Sequence, residues 1–197
     1  MDDWPCELAE GKGDRPIYAG NAHLLQHEGG SAPCGTFEIR EGEHGRFARI
    51  SYNPGMADDS EGLVATFAHE FAHYLMATAS TAPPGGWDLH ELHTDLAAIY
   101  LGFGIFLANS ARNFQQFQSA GEAGWSSRTQ GYLSEGALVT ALAIRERLAG
   151  RDPMVAAPHL KAYLRTDLKK AVRALAKRHP DISASVEAIE LSDFAGG

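Results

Sequence analysis

His69-Glu70-Phe71-Ala72-His73 has the form H-E-x-x-H, and it lies inside a run, Glu61 to Ala77, that reads as a helix. Residues four apart on a helix lie one turn apart on nearly the same face. His69 and His73 can therefore point two imidazoles at one metal ion. Glu70 lies on the same side, where it can take a proton from a water that the metal activates. The same pattern arises by chance in on the order of a per cent of chains of this length, so a third ligand is needed to decide.

That ligand follows a Pro83-Pro84-Gly85-Gly86 turn. Glu91-Leu92-His93-Thr94-Asp95 opens a second helical run, with Glu91 and Asp95 one turn apart on one face. Ala98 and Gly102 continue that face, and both are small enough for close helix approach. His93 points to nearly the opposite side and reads as structural or surface. Zinc with two His, one Glu and an open position for water is a catalytic arrangement, because structural zinc sites are closed. Asp95 then fits as the acceptor that fixes the tautomer of a ligand imidazole.

On these residues the chain resembles the gluzincin branch of zinc metallopeptidases, in which H-E-x-x-H is followed on the next helix by E-x-x-[S/T]-D. The matching residues are His69, Glu70, His73, Glu91, Thr94 and Asp95. With one strand ahead of the helix, the compact form is similar to small cytoplasmic metallopeptidases of the ImmA/IrrE type. The resemblance covers Ile50 to Gly102, about half the chain at most. It does not extend to metzincins, whose pattern wants Gly at position 76 and His at position 79, where this chain has Met76 and Ala79. In such peptidases the strand ahead of the helix borders the active site, so an open edge on Arg49-Ile50-Ser51-Tyr52 would bind an extended peptide by strand addition.

The elements that must position these residues can be read along the chain. Asp58 to Ser60 supply N-cap candidates for the metal helix, with Glu61 three residues after Asp58 as in a capping box. On the helical wheel, Leu63, Val64, Phe67, Ala68, Phe71 and Leu75 form an apolar stripe expected to pack. Thr66, His69, Glu70, His73 and Ala77 form the opposite stripe, expected to be presented. Thr36–Arg40 and Arg46–Tyr52 read as a hairpin around Glu41-Gly42-Glu43-His44-Gly45. In the Gly- and Pro-rich first third, Arg15 to Ala19 reads as a short strand. His23 to His27 reads as a helical turn with surface histidines. Leu96 to Ala108 reads as a buried helix, too short to span a bilayer. Residues 110 to 132 read as less regular, suited to a substrate wall or lid and equally to a packed loop. Helices are expected at Glu135 to Ala149, Pro158 to Arg178 and Asp181 to Leu191, packed on the back of the Glu91 helix.

The chain has 197 residues and net charge -8, which suits one domain with its own core. No basic cluster points to nucleic acid. Lys161, Arg165, Lys169, Lys170 and Arg173 read as a solvated helix face. An acidic N-terminus without an apolar run is not a secretory signal, so a soluble cytoplasmic protein with no membrane partner is the default. The two cysteines, Cys6 and Cys34, are then expected as free thiols.

The expectation is an α+β fold, one mostly helical zincin-like domain with a small N-terminal antiparallel sheet. Its regions are a sheet region 1–57, a metal-helix pair 58–110 and C-terminal helices 133–191. The expected function is zinc-dependent hydrolysis of a peptide or protein substrate, with His69, His73 and Glu91 on Zn2+ and Glu70 as general base. A zinc-stabilised interaction module or a partner-activated regulator is the alternative, and oligomeric state is not legible. An oxyanion donor should come from outside the two metal helices. His44 and Tyr52 lie on the strand side and His159 precedes a back helix, which leaves Tyr132 as the candidate and Arg128 behind it.

Overall fold

Phe37 and Ile39 on one segment, and Ala48 and Ile50 on the next, alternate with polar residues and so give each segment one apolar side. These segments are β2 (Gly35–Gly42) and β3 (Gly45–Tyr52), joined through Gly45 at φ 110° and paired antiparallel with Phe37 opposite Ile50. Ala48 and Ile50 are fully buried; burying a side chain such as Ile50 is worth about 1.5–3 kcal/mol. The computed structural model describes residues 5–11, 34–43, 45–79, 83–119 and 133–190, with 112–119 as backbone only. The fold is α+β and mostly helical, with a small sheet near the N-terminus. The segments 15–19 and 23–27, His44, Arg128 and Tyr132 lie outside the described residues.

The chain divides into two compact units, Met1–Ala79 with Arg112–Arg128, and Ser80–Ala111 with Thr129–Gly197. In the first, the sheet corrects two expectations. It is mixed, not purely antiparallel: β1 (Cys6–Glu10) lies parallel beside β3, giving the order β1-β3-β2. Strand β3 is therefore central and has no open edge for strand addition; among the described residues the free edges belong to β1 and β2. Helix α1 (Ser60–Ala77) follows a 3-10 turn, Pro54–Met56, and its N-cap is Asp59, whose Oδ1 accepts from the Gly62 N–H at 2.9 Å.

The wheel of α1 is also corrected. Its buried residues include Ala65, Thr66, Ala68, His69, Glu70 and Ala72, whereas Phe71 is 47% exposed and Leu63, Val64, Phe67 and Leu75 are half-buried. The stripe expected to be presented is the more deeply packed one. The sheet side it meets is made of small and aromatic residues: Phe37 stacks on His73, Tyr52 meets Phe67 edge-on at 5.6 Å, and Gly35 faces Thr66 and Glu70. A buried polar group is tolerated when it is hydrogen-bonded, and the Thr66 hydroxyl donates to the Gly62 carbonyl at 3.0 Å.

In the second unit, a 3-10 turn at Trp87–Leu89 leads into α2 (His90–Ala98). A π-helical segment, Ile99–Phe103, follows, and then α3 (Gly104–Ser119). Leu96 to Ala108 is thus not one buried helix, since Gly102 at φ 109° breaks it and Tyr100 is 71% exposed. A left-handed φ is natural for Gly and costly for other residues. The helical run Trp87–Ala111 has 25 residues and is long and apolar enough to cross a membrane by length and composition, contrary to the expectation; 56% of its apolar window is buried, as core helices also are. Helix α3 extends through residues 110 to 119, which were expected to be irregular. Helix α4 (Glu135–Leu148) starts at Ser134, whose hydroxyl accepts from Ala137 N–H. After a 3-10 stretch, Pro153–His159, come α5 (Ala162–Arg178) and α6 (Ile182–Glu187). Helix α4 packs on α2 and the π segment, and α5 and α6 pack on α4. The core holds Leu138, Val139, Leu142, Leu160, Leu164 and Leu168.

Candidate metal centre

The first unit supplies the histidine pair. On α1, the Nε2 atoms of His69 and His73 stand 3.0 Å apart, with ring centroids at 4.7 Å and planes at 84°. Two imidazole nitrogens directed at one point is what a shared metal ion requires. His69 is 5% exposed and Glu70 6%, while His73 is half-buried. Phe37 lies almost parallel to the His73 ring, at 6.1 Å between centroids and 14°. Cys34, buried at the start of β2, reports the charge of Glu70. Burial first, then the carboxylates of Glu70 and Asp59, push its thiol up to about 11.

The second unit supplies the acids of α2. The His90 Nε2 lies 3.0 Å from Glu91 Oε1, and its Nδ1 lies 3.0 Å from the Trp87 carbonyl. Both ring nitrogens face acceptors, so a protonated His90 would donate to each. Asp95 is 3% exposed, and its Oδ2 accepts from the Leu133 N–H at 2.8 Å, just ahead of α4. Thr94 is fully buried and its hydroxyl donates to the His90 carbonyl. His93 Nε2 lies 2.6 Å from the Pro84 carbonyl, where it fastens the turn before α2.

Sequence reasoning placed His69, His73, Glu70, Glu91 and Asp95 on their helices. It missed four residues around them. Gly35 and Phe37 lie on the inward side of β2, which a period-two reading of that strand could have shown. Cys34 had no signal beyond its place before the strand. His90 sits beside Glu91 in the sequence and was passed over because its role appears only when its ring is placed. Tyr52, read as lying on the strand side, donates its hydroxyl to Glu10 Oε1 at 3.2 Å. No family model matches the chain, and neither a curated protein nor a solved structure matches it.

Proposed function

We propose that this protein is a zinc-dependent peptidase of the H-E-x-x-H type. The observation that carries the reading is the convergence of His69 and His73 at 3.0 Å beside a buried Glu70. His69, His73 and Glu91 are a group of side chains that could hold one metal ion, and two His with one Glu is the donor set of catalytic zinc. Bound there, zinc would lower the pKa of a water and polarise a peptide carbonyl. Glu70 is the base that takes the proton from the attacking water and afterwards delivers it to the leaving amine. His69 and His73 hold their donor nitrogens in place through the rigidity of α1.

The test is a metal analysis of the purified protein with a peptide-library cleavage assay. About one zinc per chain is expected, lost in His69→Ala and in Glu91→Ala. Stoichiometric zinc in the double variant would remove the ligand assignment, and zinc without any cleavage would favour a partner-activated regulator.

A further inference from the structure

We propose that Gly35 is a positioning residue for Glu70, a role that rests on the reading of Glu70 as the base. Gly35 opens β2 and pairs with Tyr52 on the central strand, and the next turn is tied down by Asn53 N–H donating to the Cys34 carbonyl at 3.0 Å. Its φ is not among the positive ones, so no turn requires a glycine here. What requires it is space. A Cβ at position 35 would collide with Thr66 Cγ2 and would stand 3.0 Å from Glu70 Oε1 and 3.1 Å from Glu70 Cγ.

Thr66 is poorly placed to give way. It is 1% exposed, and turning its methyl group aside would break the hydroxyl bond to the Gly62 carbonyl. A side chain at position 35 would therefore push α1 from β2 or move the Glu70 carboxylate. Two residues further along the same side of β2, Phe37 lies against His73. One strand face thus meets both the base and a histidine of the pair. The bare backbone at position 35 sets where the Glu70 oxygen stops. Contacts of 3.0 and 3.1 Å oblige Glu70 to give by a few tenths of an ångström. A displacement of about an ångström in a catalytic group can cost on the order of a hundredfold in rate, so a loss of several-fold is the scale expected here.

The experiment compares Gly35→Ala, Thr66→Ser and the double variant Gly35→Ala/Thr66→Ser, by steady-state kinetics, metal analysis and crystal structures. Gly35→Ala alone meets both neighbours and its loss of folding would be uninformative. Thr66→Ser removes Cγ2, the group in collision, and leaves only the contacts with Glu70. The double variant is expected to fold, to keep its metal and to show a displaced Glu70 carboxylate. Its turnover number should fall about threefold to tenfold below Thr66→Ser, with KM within about twofold. A merely structural role would lower melting temperature and metal content together and leave the turnover number per folded, loaded molecule intact. An unmoved Glu70 carboxylate, or a turnover number equal to that of Thr66→Ser, overturns the proposal. Glu70→Gln measured alongside separates the two levels. Full turnover in that variant defeats the role of Glu70 as base, whereas the position of the carboxylate in the crystal decides the role of Gly35 by itself.

Discussion

The two helices that carry the residues of the possible metal group are held by different means. Helix α1 runs for 18 residues, is capped by Asp59, and buries His69, Glu70 and Thr66 within its own unit. Helix α2 runs for only 9 residues, has no side-chain cap bond, and passes directly into a π-helical segment that Gly102 breaks. Among the contacts of its acids, Glu91 lies beside His90, and Asp95 accepts from the Leu133 N–H. In the first unit the chemical residues are part of the packing, so their geometry is set when the core forms. In the second, Glu91 is only half-buried on a short helix without a side-chain cap, and a hydrogen bond to a charged group such as its carboxylate is worth about 1.5–3 kcal/mol. Geometry on α1 should therefore resist conservative change, and geometry on α2 should follow it.

The largest effect expected is chemical and lies on α1. Glu70→Gln keeps the shape of a well-packed side chain and removes its basicity. Turnover should fall by a factor of roughly a hundred to ten thousand, with zinc content and melting temperature close to those of the parent protein. Unchanged turnover on a substrate that the parent cleaves rules Glu70 out as base. A large loss of stability would instead show that the buried carboxylate itself holds α1 in place, and the contrast between the helices would narrow.

Asp95 tests the other side of the contrast. On the proposed role of Asp95 as acceptor for a ligand imidazole, its change to Asn should weaken zinc binding about tenfold to a hundredfold with the fold retained. Asp95 also accepts from the Leu133 N–H ahead of α4, which predicts something different for Asp95→Ala: a loss of about 1–3 kcal/mol from a buried donor left unpaired. Calorimetry of zinc binding and thermal melts on both variants separate the roles. Zinc affinity unaltered in Asp95→Asn would make Asp95 a core residue that fastens the start of α4 and not a support of the metal ligands.

What could be read from the sequence follows the same division. The i, i+4 spacing of His69 and His73 is local, and a helix turns it into geometry wherever it folds; the hairpin at Thr36–Arg40 and Arg46–Tyr52 was local in the same sense. Strand β1 was not legible because Cys6–Glu10 is short, almost wholly exposed, and parallel to a strand some forty residues away. The orientation of α1 was misread because the wheel equates apolar with buried. Thr66, His69 and Glu70 can be buried because they have polar partners, and that cannot be seen in a hydropathy pattern. Gly102 was taken as a small residue for helix packing, whereas its positive φ is a backbone requirement that composition does not reveal.

The smallest effect concerns Cys34, whose thiol is a probe of how tightly Glu70 is packed. Burial raises it most, followed by the negative charges of Glu70 and Asp59, from an ordinary 9.0 to about 11. The sign follows directly. A thiol held protonated in the folded chain contributes stability that is complete below its ordinary value and is lost as the pH rises toward about 11. The thiolate is the reactive form, so the pH dependence of alkylation reads the same shift. Cys6→Ser leaves Cys34 as the one thiol of the chain, which has two cysteines. In that background the midpoint of the alkylation rate should lie near 11 in the folded protein and near 9 in urea. Adding Glu70→Gln removes one of the two charges, so the midpoint should move down while staying above the urea value, because burial remains the larger cause. A midpoint that ignores Glu70→Gln would mean that the carboxylate does not sit near the start of β2, and the tight packing ascribed to α1 would fail at its most sensitive point.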